Sequence, residues 1–137
     1  MGPKKKKFNK PYALELLNIA KGDLESAKGL CIAKIGRPEN ALYHIQQACE
    51  KALKAIYIAR GKEVTLIHDI GLLIGGLNDI IQVPYQEELL SLTEYATIRR
   101  YEEGAYEINF EKDVTPYLSI ADEILSLASS QVKSFFG

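Results

Sequence analysis

The sequence predicts an all-α chain, a five-helix antiparallel bundle, and three observations carry that reading. Apolar residues recur at three- and four-residue steps along most of the chain. Turn-forming residues interrupt that spacing at four places. Strand-like alternation is short and rare, and no internal repeat is visible. At 137 residues, 47% hydrophobic and 26% charged, the chain has the size and composition of one globular domain with its own core. Residues 1–10 read as a basic flexible segment and residues 11–137 as the single domain.

The first helix is expected over residues 11–34, with Leu14, Leu17, Leu24, Ala27 and Cys31 on its inner stripe. It should stop before Gly36-Arg37-Pro38, where Gly36 suits a helix end and Pro38 the first turn of the next helix. The second, over residues 38–60, is the most regular: Ala41, Ile45, Ala48, Ala52, Ile56 and Ala59 repeat at helical steps and Gly61 ends it. Thr65 can cap a short third helix holding His68, Ile70, Leu73 and Ile74, which should fade at Gly75-Gly76. Pro84 is expected to open a fourth helix, with Leu89, Leu92 and Ala96 facing inward, that ends near Gly104. Thr115-Pro116 reads as N-cap and first residue of a fifth, with Tyr117, Ile120, Ile124 and Leu127 in register. Modest connections imply mostly antiparallel neighbours.

Charge and motif content narrow the function. Five basic residues crowd the first ten positions, so from Pro11 onward 12 basic residues face 18 acidic ones, a net of −6. Such a body lacks the broad cationic surface that nucleic acid rewards, which makes RNA a less favoured partner. Nothing resembles a phosphate-cradling Gly-Lys-Ser/Thr loop, and Gly71, Gly75 and Gly76 do not lie between a strand and a helix as a dinucleotide fingerprint needs. Two histidines and two scattered cysteines match no zinc spacing, so no metal and no cofactor is expected. No apolar run approaches the roughly 20 residues of a membrane span. The lysine run has no apolar stretch behind it to make a secretory signal. Cys31 and Cys49 read as buried thiols, and a cytoplasmic location is expected.

Two polar surfaces stand out. Asn40, His44, Gln47, Lys51 and Lys54 follow helical spacing and form one polar stripe of the second helix, opposite its apolar face. The lysines suit a nucleotide phosphate, and Gln47 or Asn40 suits polar edges. Late in the fourth helix, Tyr95 and Arg99 are helical neighbours beside Arg100 and Tyr101. An arginine fork takes phosphate, and a tyrosine stacks on a base. The plain alternatives are a solvated face for the first surface and Arg–Glu pairing for the second. Glu87-Glu88 and Glu102-Glu103 read as solvated faces, and His68 as a structural residue beside Asp69.

The stretch Gln47-Ala48-x-Glu50-Lys51-x-Leu53-Lys54-Ala55, with His68-Asp69-Ile70 and Tyr95-Ala96-x-x-Arg99-x-Tyr101 following in order, resembles the HEPN domain family. The resemblance spans about residues 12–130. It implies a helical bundle that commonly forms homodimers, binds nucleotide, and works beside a minimal nucleotidyltransferase in toxin–antitoxin or related modules. Many family members are metal-independent ribonucleases that use Arg, four to six residues, then His. Here the positions after Arg99 and Arg100 hold Gly104, Ala105, Tyr106 and Glu107, and no histidine follows either arginine. Arg37 with six residues before His44 is a formal match, placed too early in the fold. Without a group that exchanges protons near neutral pH, arginine supplies only charge stabilisation. The expectation is therefore a non-catalytic binding module, with a diverged ribonuclease as the alternative.

Overall fold

A computed structural model describes residues 10–62, 69–94 and 108–136. Among these residues the chain is helical and carries no strand: α1 is Lys10–Ala33, α2 Pro38–Ala59, α3 Ile70–Leu77, α4 Gln86–Thr93 and α5 Thr115–Phe136. A π-helical turn, Phe110–Val114, runs straight into α5. The five helices form the all-α bundle expected of the sequence.

α2 is the axis of the bundle, touching α1, α3, α4, α5 and the π turn. Pro38 opens it, as its fixed φ and missing N–H allow. Its end is a left-handed cap in which Gly61 (φ 73°) lets the Lys62 N–H reach the Tyr57 carbonyl at 2.9 Å and the Gly61 N–H reach Ile58 at 3.1 Å. The α1–α2 turn spends two left-handed residues, Lys34 and Gly36, and folds the two helices into an antiparallel hairpin. α5 runs antiparallel to α1, with Lys28 meeting Asp122 at 3.0 Å. It lies parallel to α2, because Arg60 at the end of α2 donates to Gln131 near the end of α5 at 2.6 Å. Antiparallel packing therefore holds for α1 with both neighbours and not for α2 with α5.

Four details differ from the sequence reading. The buried stripe of α1 keeps the expected Leu24 and Ala27, but its first turns bury Ala13, Leu16 and Ala20 in place of Leu14 and Leu17, and Cys31 is only half-buried. Alanines seven residues apart let α1 approach α2 closely, and Leu14, 43% exposed, is left on the flank. α3 passes through Gly75 and Gly76 instead of fading there, and its N-cap is Asp69, which accepts the Leu72 N–H at 3.2 Å. α4 begins two residues beyond Pro84, after Tyr85 in a left-handed conformation. Thr115 does not cap α5: its hydroxyl donates back to the Phe110 carbonyl at 2.9 Å, and Asn109 caps the π turn by accepting from Glu111 and Lys112. Thr65 and His68 lie outside the described residues.

Both cysteines are free thiols. Cys49 is fully buried, which pushes its pKa up to about 12, and Cys31, half-buried, is raised for the same reason. Burial disfavours the reactive thiolate form in both, most of all in Cys49.

Candidate functional site

The surface that carries the sequence-level candidates is one side of α2, and its central position there changes their surroundings. Asn40, His44, Gln47 and Lys51 are half-buried and share a face, as their spacing requires. Lys54 is not on the wet side. It is 5% exposed, and its Nζ donates to Glu50 Oε2 at 3.0 Å inside the protein. Glu50 is equally enclosed, with its side chain only 3% accessible. The expectation that Lys54 stands on the open polar stripe as a phosphate contact is thus corrected, because α2 is wrapped by its neighbours along this stretch.

Polar side chains form a relay that runs from the half-buried Lys51 inward to the buried Gln46. Lys51 Nζ donates to Gln47 Oε1 at 2.7 Å, and Gln47 Nε2 donates to Gln46 Oε1 at 2.9 Å. An ammonium has three donors, and among the described residues this relay uses one of those on Lys51. His44 stands edge-on to Tyr43, with ring centroids 6.0 Å apart.

Asp23 of α1 faces this cluster and was absent from the sequence reading. Burial raises its carboxyl pKa from the ordinary value, and the nearby Lys51 and His44 offset that only in part. The available signal was its place three residues after Ala20 and four before Ala27, against the edge of the inner stripe. A raised carboxyl binds its proton more tightly folded than unfolded. Its contribution therefore favours the folded state below the ordinary carboxylate range and is lost as pH rises through the raised value. Asp23→Asn should remove that decline and stabilise the protein at pH 7 by a fraction of a kcal/mol, since water screens a half-exposed group. Urea unfolding of both proteins between pH 4 and pH 7 checks this; parallel pH profiles would refute it.

Arg37, the arginine of the early Arg-x-His match, is engaged elsewhere. Its Nε and Nη2 both donate to Glu39 Oε2, at 3.0 and 2.6 Å. His44 lies seven residues on, about 10 Å further along the helix axis. Tyr95, Arg99 and Arg100, like Tyr101, lie outside the described residues. Among those described, no group of three His, Cys, Asp or Glu residues could hold a metal ion. None of the described helices is long and apolar enough to cross a membrane.

Compared with known proteins, the chain matches the family model described as the HEPN domain over residues 13–131. No curated protein and no solved structure matches it.

Proposed function

We propose, for a chain that belongs to the HEPN domain family, a binding role without RNA cleavage: a nucleotide-binding and protein-interaction module. The observation that carries it is the fate of the two arginine–histidine options. No histidine follows Arg99 or Arg100, and in the earlier pair the exposed Arg37 guanidinium turns to Glu39. Both observations support the binding reading over the diverged-ribonuclease alternative.

In this reading Lys51 contacts phosphate with the donors Gln47 leaves it, and Asn40, Gln47 and His44 read polar edges beside it. Arg99, Arg100 and Tyr95 join as further phosphate and base contacts, by the arginine fork and the stacking tyrosine ring. Lys54, enclosed with Glu50, is assigned to holding α2 in place. A homodimer and a minimal nucleotidyltransferase partner in a toxin–antitoxin-like module complete the proposal, in the cytoplasm.

Titration calorimetry with ATP at low and high salt tests the site. Binding should weaken with salt, as screening requires, and Lys51→Ala with Arg99→Ala should reduce it by about tenfold or more. Equal affinity in the native and double-variant proteins would overturn the site. Incubation with mixed RNA should leave the RNA intact; cleavage abolished by His44→Ala would establish the ribonuclease reading instead.

A further inference from the structure

α1 and α5 diverge on the side away from α2 and leave a groove of about 830 Å³ between them. Its base is apolar, with Leu24 and Val132 nearly fully buried, and its walls are the partly exposed Leu14, Leu17 and Leu125. Six of the eight α1 residues that line it follow one another at alternating steps of four and three, from Lys10 through Leu14, Leu17, Lys21 and Leu24 to Lys28, with Asn18 and Glu25 beside them. That is the spacing of a helix seam, and at 1.5 Å per residue it runs about 27 Å. On α5 the small Ser126 and Ser129 face the same space, which allows a third backbone to approach closely.

The rim supplies the sign of the occupant. Lys28 and Asp122 neutralise each other across one end at 3.0 Å. Of the remaining rim charges, Lys10, Lys21 and Lys133 outnumber Glu25, a net of +2 on a body that carries −6 from Pro11 onward. A basic strip on an acidic body favours an acidic partner. A second copy is disfavoured, because a two-fold pairing would set one basic rim on another. The lysine-rich segment before α1 has the same wrong sign.

From this geometry we infer that the α1–α5 groove receives an amphipathic helix of a different protein, about 18 residues long, whose apolar seam is flanked by carboxylates. The mode is a helix laid in an apolar groove, read through anchors three and four residues apart. The inference is independent of the nucleotide site on α2, which lies on another surface.

A displayed library of 18-residue helices tests it, with fixed apolar heptad positions and flanks drawn from Glu, Lys and Gln, selected against the full chain. The selected peptides should be rich in glutamate at the flanks. Their affinity, measured by fluorescence anisotropy, should fall roughly tenfold for Lys21→Glu with Lys133→Glu, two exposed positions whose reversal leaves the core untouched. Selection of no binder, flanks without acidic bias, or equal affinity for the reversed variant would overturn the proposal. So would binding of phosphatidylserine vesicles, or self-association in sedimentation, that the same variant abolishes, since either assigns the groove to a lipid surface or a second copy.

Discussion

Replacing Lys54 by methionine is expected to lower the unfolding free energy by about 3–5 kcal/mol, although methionine has nearly the same length and is a good helix former. The loss comes from Glu50. With side-chain accessibilities of 6% and 3%, the two groups share an interior site and are joined at 3.0 Å. Removing Lys54 takes a charged partner from a carboxylate that stays buried. Removing both charges together takes away that carboxylate as well, so Glu50→Gln with Lys54→Met should recover part of the loss. Lys28–Asp122 is the control, also 3.0 Å long but 43% and 54% accessible. Lys28→Met should cost under about 1 kcal/mol. Urea denaturation midpoints for the four proteins decide it. A Lys54→Met cost no larger than that of Lys28→Met would show that the interior pair is solvated in solution.

The same pair marks where sequence reasoning reaches its limit. That residues 38–59 are helical was legible from spacing alone, and so was the shared face of Asn40, His44, Gln47 and Lys51. Which part of that face meets water was not. An amphipathic pattern identifies the apolar side of a helix, but it assumes that the polar side is wet. In α2 that assumption fails at Gln46, Glu50 and Lys54, all 5% exposed or less. The four-residue step from Glu50 to Lys54 was the one local hint. Asp23 was hidden for a related reason: its significance depends on contact between α1 and α2, which no single-helix pattern contains. The burial of Ala13, Leu16 and Ala20 in place of Leu14 and Leu17 in the first half of the α1 stripe has the same origin. Leucines rank above alanines as core residues, yet Ala13, Ala20 and Ala27 are fully buried, because close approach of two helices selects for small side chains. The α1–α5 groove is the counterpart of that choice, since it leaves Leu14 and Leu17 beside open space.

The two glycines of α3 give the second large effect, and they should behave oppositely. Alanine is the better helix former by about 1 kcal/mol, and nothing lies within 4 Å of a β-carbon built on Gly75. Gly75→Ala should therefore be neutral or stabilising by up to about 1 kcal/mol. At Gly76 the same methyl would stand 1.8 Å from the Tyr57 hydroxyl and 2.8 Å from its Cζ. That hydroxyl donates to the Leu73 carbonyl at 3.0 Å, with Leu72 at 3.3 Å, and the ring is enclosed between α2 and α3. Tyr57 cannot swing clear without losing the hydrogen bond and opening the core. Gly76→Ala should accordingly cost about 2–3 kcal/mol, overpacking outweighing propensity. Removing the hydroxyl removes the nearest clashing atom, so Gly76→Ala should cost less than half as much in a Tyr57→Phe background as in the native one. Denaturation of the single and double variants measures that coupling directly. Additive losses would mean that α3 yields by moving as a unit, and that Gly76 is not placed there to admit Tyr57.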